Sequence, residues 1–370
     1  MIPIYVPYID KYKTSALKAI ETNWISNHGT NVSNAEEVLR ARLGVKYCIL
    51  MNNGTAATHA LFICLKHKHP NIQKIYVPNN VFIACWNCAL MQYDKNQLEV
   101  MKLNDKTLNI DTSKAYIDTL EPNSAVLIVH NLGNVVNVPR LKRLRPDLIF
   151  VEDNCEGLFG KYENEFTGCS ESSLCSAASF YGNKILTSGE GGAFFTNDLD
   201  VYNFMKSTYS HGMSSTQRYI HNKLAYNYRM TNVQAGFVYD QLQDLDHILS
   251  VKLRVMKAYD TYLEALIKAE QIQKLTSDIN TEPAAWMYCI LIPHLDYPRF
   301  EQYMTEHGVQ VRPLFYDIRK HQHLKDVEVK YAECTTAANG AMLPSFPGLL
   351  STDQEYICNR VKQYVRQDHA

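Results

Sequence analysis

One lysine, Lys184, stands in the stretch SFYGNKILTSGEGG (179–192), among serines and glycines and just before an apolar GAFFT. A lysine that forms a Schiff base must reach a carbonyl and spend time as a neutral amine. Desolvation and nearby positive charge both favour that form. Earlier in the chain, FVEDNCEG closes an apolar run with Glu152 and Asp153. A buried carboxylate needs a cationic partner or hydrogen-bond donors, and a protonated ring nitrogen of a cofactor is one such partner. A third piece, Asn52-Asn53-Gly54-Thr55-Ala56, joins an apolar run to a helical pattern. A helix start leaves N–H groups unpaired and partly positive, so it accepts phosphate, with Gly54 allowing close approach and Thr55 adding a hydroxyl.

Each piece has an ordinary reading: a lysine on a surface turn, a salt-bridged carboxylate, a plain helix cap. Read together, with Ser179 as a further phosphate ligand, they fill every role of a pyridoxal phosphate (PLP) site. Rival motifs are absent. No GxGxxG opens a helix after an early strand, no GxxxxGK[ST] occurs, and GEGGAF leads into a strand.

These residues need a frame that brings them together. Strands are expected at 46–51, 74–78, 97–103, 125–130, 148–153 and 192–196, alternating with helical patterns through about residue 250. Between the first two, Ala57, Ala60, Leu61, Cys64 and Leu65 recur at helical spacing and predict one apolar face of an amphipathic helix. Such alternation predicts an α/β fold with a mainly parallel sheet covered on both faces. Ligands of such sheets sit at the carboxyl ends of the strands. Beyond residue 250, a long helix (251–269), WMYCILIP, a helix near RFEQYMTEHG, VQVRPLFY and a closing helix predict a smaller α+β unit. The expected division is 1–250 for a large PLP-binding domain and 251–370 for a small C-terminal domain.

The chain has 370 residues, 46% of them hydrophobic, enough for two cores, and a net charge of −1. That balance argues against nucleic acid or an anionic membrane as partner. No apolar stretch has the length of a membrane span and MIPIYVPYIDKYK lacks a signal-peptide layout, so a cytoplasmic protein is expected. The 10 cysteines are scattered through apolar runs, the usage of small buried hydrophobes. Cys85 and Cys88 in CWNC are read as helical core, not as a redox or zinc site, and no metal is expected.

The chain resembles the DegT/StrS-type nucleotide-sugar aminotransferases, which are fold type I, aspartate aminotransferase-like PLP enzymes. The likeness rests on WISNHGTNVSNAEE, NNGTAATHAL, VEDNCEGLFGKY, SFYGNKILTSGEGG, YNYRMTNVQAGF, VRPLFY and LPSFPGLLSTDQEYIC. It implies that Lys184 attaches PLP and shuttles protons, that Asp153 pairs with the pyridine nitrogen, and that Glu156 lies near the ring hydroxyl. Phe82 would stack on the ring, and Gly54, Thr55, Ala56 and Ser179 would bind the phosphate. Asn227 would reach the phosphate of a neighbouring subunit, which implies a homodimer with shared sites. Trp24, Ile25, Ser26, Arg229, Arg312 and Tyr316 fall where relatives shape the substrate pocket.

Two departures stand out. Ala225-Tyr226-Asn227 replaces the usual Gly-x-Asn, and Glu156 stands where many relatives carry Gln. Dehydratases of the family have histidine at the Lys184 position, so lysine favours amino transfer. The resemblance implies L-glutamate as donor, pyridoxamine phosphate between the half-reactions, and a nucleotide-linked 4-keto-6-deoxyhexose as acceptor. A UDP- or dTDP-linked acceptor giving a 4-amino-4,6-dideoxy sugar such as viosamine is the expectation. GDP-perosamine-type or 3-keto-sugar amination is the alternative, and a non-catalytic PLP- or sugar-sensing member is the rival from another class.

Overall fold

The computed structural model describes residues 1–368. Helices α1 (Thr14–Glu21) and α2 (Thr30–Leu43) precede β1 (Tyr47–Met51) and α3 (Gly54–Lys68). Next come β2 (Ile75–Pro78), α4 (Ala84–Gln92), β3 (Leu98–Met101), α5 (Lys114–Ile117) and β4 (Ala125–Val129). Helix α6 (Val138–Leu144) and β5 (Ile149–Asp153) follow, then a hairpin of β6 (Lys161–Tyr162) and β7 (Glu165–Phe166). After β8 (Ser176–Ser179) and β9 (Gly192–Thr196) run α7 (Leu199–Thr208), α8 (Asn232–Gln243) and α9 (Leu245–Lys268). The last part holds β10 (Thr281–Glu282), β11 (Tyr288–Leu291), α10 (Tyr297–Glu306), β12 (Arg312–Pro313), α11 (Thr335–Ala338), β13 (Gly340–Leu343) and α12 (Ser351–Asp368).

Seven strands form the main sheet in the order β1-β9-β8-β5-β4-β2-β3. Strands β3, β2, β4, β5 and β8 pair in parallel, while β9 runs against both β8 and β1. The fold is therefore α/β with a mostly parallel sheet, as expected. Strands β2, β4 and β9 are buried along their whole length, which is why IYVP, AVLIV and GAFFT read as unbroken apolar or small runs.

Helix α3 departs from the expected one-sided pattern. Every residue from Ala56 to Leu65 is buried, so α3 is a central helix packed all round. It lies against β8 and β9. Strand β8, Ser-Ala-Ala-Ser, was not expected from the sequence, because small residues carry no strand pattern. They are small for a reason: a Cβ on Gly54 would fall 2.6 Å from the Ser179 Cβ, so the helix backbone rests directly on the short Ser179 side chain.

A second sheet, β11-β13-β12, is antiparallel. Residues of α9 (Val255, Tyr259, Leu263), α10 (Phe300, Met304) and α12 (Ile357, Val361) form its core. The expected strand VQVRPLFY shrinks to Arg312–Pro313, since proline has no N–H to continue a ladder. The N-terminal segment joins this part, with Ile2 bridging Val309 and the Ile4 N–H donating to Gln310 at 3.0 Å. Among the described residues no helix is long and apolar enough to cross a membrane. Cys85 and Cys88 lie buried on α4, and all ten cysteines are free thiols.

Helices α1 and α8 meet at Gly236, where an added Cβ would lie 2.5 Å from the Ala16 N and 2.8 Å from its Cα. Glycine to alanine inside a helix ordinarily gains up to about 1 kcal/mol. Here the clash reverses the sign. Gly236→Ala is expected to lose about 1–3 kcal/mol, read as a lower urea midpoint; a gain would show that α1 and α8 are not packed this closely.

Candidate active site

The carboxyl ends of β4, β5 and β8 open into a cleft of about 810 Å³ that the second sheet closes from the far side. Its lining includes Gly54, Thr55, Phe82, Asp153, Glu156, Ser179, Lys184, Arg312 and Tyr316. Nine residues singled out in the sequence, separated by more than 250 positions, thus share one cavity.

Asp153 ends β5 at 5% exposure. Its Oδ2 accepts from the Thr58 hydroxyl at 2.8 Å and the Cys85 thiol at 3.3 Å, and its Oδ1 accepts the Cys155 N–H at 3.0 Å. These donors supply the hydrogen bonds that a buried carboxyl needs. At the start of α3, the Asn53 side chain caps the Ala56 N–H at 2.8 Å. Helix geometry leaves the N–H groups of Gly54 and Thr55 without intrahelical acceptors, and both residues line the cleft. Ser179 stands against Gly54, and its Oγ accepts the Tyr181 N–H at 3.3 Å. Phe82 is 52% exposed, its ring 5.9 Å from that of Phe315.

Lys184 lies in the connection from β8 to β9, which is pinned by the Phe180 N–H on Gly191 at 2.8 Å and the Ser188 N–H on Phe180 at 3.0 Å. Its Nζ sits 3.8 Å from Glu156 Oε1 and 4.2 Å from the centroid of the Trp286 ring. Glu156 is buried and accepts the Leu132 N–H at 2.7 Å through Oε2. Burial raises its carboxyl to about 7, against the opposing pull of Lys184 and the Leu132 N–H. Arg312 stands at the mouth, its guanidinium 5.4 Å from the Tyr5 ring centroid.

Other expected residues lie elsewhere. Ala56 is outside the cleft lining, its N–H already taken by Asn53. Trp24, Ile25 and Ser26 offer backbone carbonyls to Asn232 at the start of α8. Arg229 donates to the Asn227 side chain at 3.0 Å, and Met51 bridges Arg229 at the end of β1. Neither Asn227 nor Arg229 lines the cleft of its own chain. Sequence reasoning did not single out Thr58, Cys155, Trp286 or His321, which all line it. Thr58 was findable, as a hydroxyl one turn after Gly54 between the apolar Ala57 and Ala60 of the helix. Cys85 was read as core, and it is core, yet its thiol faces Asp153.

The residues fit PLP. A buried carboxylate, a lysine amine, a capped helix start with open N–H groups, a serine beside it and an exposed phenyl ring share one cavity.

The raised Glu156 carboxyl sets a sign for stability against pH. Folded Glu156 holds its proton up to about pH 7, whereas the unfolded chain releases it near 4.3. Stability from this group is complete below the unfolded value and lost as pH rises through 7. Cofactor-free Glu156→Gln is therefore expected to match the parent near pH 4.5 and exceed it by up to about 3 kcal/mol at pH 8. Urea midpoints measured across that range test this, and parallel curves would rule it out.

The sequence matches the DegT/DnrJ/EryC1/StrS aminotransferase family over residues 7–362. A GDP-perosamine synthase of Caulobacter vibrioides is 27% identical, with 98% of each chain covered. A UDP-4-amino-4,6-dideoxy-N-acetyl-beta-L-altrosamine transaminase of Campylobacter jejuni is 28% identical over 69% of this chain and 68% of its own. Among solved structures, an E. coli GDP-4-keto-6-deoxy-D-mannose-3-dehydratase with bound hydrated PLP superposes with a TM-score of 0.84 at 18% identity, covering 96% and 99% of the two chains. With a family match that spans nearly the whole sequence, this chain belongs to the DegT/DnrJ/EryC1/StrS aminotransferases, a family of PLP-dependent enzymes.

Proposed function

We propose that this protein transfers the amino group of L-glutamate to the C4 carbonyl of a nucleotide-linked 4-keto-6-deoxyhexose. The observation that carries the reading is the meeting of Lys184, Asp153 and the Gly54–Thr55 helix start in one cleft. When bound, PLP supplies an aldehyde for attachment and a ring that withdraws electrons from the reacting carbon. Lys184 Nζ would be the attachment atom and would serve as the base that removes and returns the proton at the substrate carbon. Asp153 would pair with the ring nitrogen, with Thr58 and Cys85 fixing its carboxyl. Glu156, with its proton held to about pH 7, faces the Lys184 side of the site. Phe82 would pack against the ring, and Ser179 with the Gly54 and Thr55 amides would hold the phosphate.

A GDP-linked acceptor, giving a perosamine-type product, has the support of the full-length Caulobacter relative. UDP- or dTDP-linked acceptors form the second reading, which the Campylobacter relative supports over part of the chain. We further propose a homodimer in which Asn227 and Arg229 serve the neighbour's site. The exposed apolar side chains Leu17, Ile20, Trp24 and Ile25 give that dimer a surface to bury. The division near residue 250 into a large and a small domain belongs to the same proposal. It is supported by the separate apolar core built around the second sheet.

The purified protein is expected to show a visible band that bleaches on adding glutamate, and Lys184→Ala is expected to lower turnover more than about 10³-fold. A colourless protein that PLP cannot reconstitute, or an active Lys184→Ala variant, would overturn the reading. Incubation with glutamate and GDP-, UDP- and dTDP-linked 4-keto-6-deoxy sugars, read by product mass, separates the acceptors. Amination of the GDP sugar with highest kcat/KM is the expected result.

A further inference from the structure

Behind the cleft lies a buried lysine. Lys252, on α9, is 3% exposed, and no carboxylate pairs with it among the described residues. Burying an ammonium in this way is costly, and a methionine would fill the same space without that cost. What the amine adds is two hydrogen bonds to backbone: its Nζ donates to the Trp286 carbonyl at 2.7 Å and to the Ser345 carbonyl. Burial lowers Lys252 to about 7, and a neutral amine still carries the two N–H groups that two carbonyls require.

Trp286 is the residue whose ring underlies Lys184, with Nζ 4.2 Å from the centroid. The indole N–H does not anchor that ring, for it has no hydrogen-bond partner among the described residues. The ring is placed through its backbone instead. The Trp286 N–H donates to Ala284 at 2.9 Å, and the carbonyl receives Lys252. Lys184 and Lys252 also line the same small void of about 10 Å³.

We propose that Lys252 is a positioning residue for the reaction, acting on Lys184 by clamping Trp286 beneath it. The clamp joins α9 to residues just before β11 and just after β13, so movement of the second sheet would carry the aromatic floor with it. A cation over an aromatic face is stabilised by that face, and the positive charge at Lys184 Nζ thereby depends on where Lys252 holds the ring.

This rests on Lys184 being the attachment lysine, which the visible band of the wild-type holoenzyme, and its loss in Lys184→Ala, establishes separately. The proposal is tested by titrating that band in Lys252→Met, Trp286→Leu and the double variant. The pH midpoint is expected to fall by about 0.5 unit or more in each single variant. It should fall no further in the double variant, because both changes remove the same contact. Single-turnover amine transfer from glutamate is expected to slow about tenfold with little change in KM. Tyr259→Phe, which removes a 2.6 Å bond to the Pro344 carbonyl in the same region, should leave the band unmoved. An unmoved midpoint in Lys252→Met, or additive shifts in the double variant, overturns the proposal. If Lys252→Met does not fold, Trp286→Leu decides alone: an unmoved midpoint refutes the role of the aromatic floor.

Discussion

The site is organised around a carboxylate sealed at the end of β5. Asp153 cannot lie so deep without donors, and those donors come from three directions. Thr58 arrives on α3, Cys85 on α4, and the Cys155 amide from the turn that leaves β5 itself. Bringing α3 close enough requires a helix start without a side chain at Gly54 and a strand of small residues at β8. The same approach points the open amides of α3 into the cleft. One buried carboxyl thus ties the central helix to the end of the sheet.

On the other side of the cleft the balance is between Lys184 and Glu156. The two side chains are too far apart, at 3.8 Å, for a strong charge-assisted hydrogen bond. Glu156 therefore gains only part of what full ionisation would need, and burial keeps it partly protonated near neutral pH. Trp286 shares in holding the lysine. The lysine side chain is set between the Glu156 carboxyl and an aromatic face.

Much of this was legible in the sequence because it is local. Apolar runs ending in a charged or small residue mark strand ends, and Asp153, Lys184 and the Asn53–Thr55 joint are each recognisable within a few neighbours. Six expected strands lie where the apolar runs put them, within three residues at their ends. What stayed hidden depends on packing. Strand β8 has no apolar signature, and α3 is buried all round, so its apparent single face was only part of its burial. Trp286 approaches Lys184 from a distant part of the chain, and no local pattern announces such a contact. Glu156 was legible as a position, but its proton affinity comes from burial that only the fold supplies. Trp24, Ile25, Ser26, Asn227 and Arg229 lie outside the cleft of their own chain, where a role at the site requires a second copy.

The pairing of the N-terminal segment with the second sheet bears on the order in which the molecule can assemble. The Ile4 N–H finds its acceptor on Gln310, 306 positions later, and Tyr5 reaches both Tyr181 and Arg312. During synthesis the main sheet has all seven of its strands once residue 196 has emerged. The mouth of the cleft cannot close until more than 100 further residues exist. Residues made early must wait, unpaired, for residues made late. The chain can therefore pass through a stage with a formed sheet and an open, unfinished cleft, a stage at which a small ligand or a chaperone would meet the protein before its own N-terminus does.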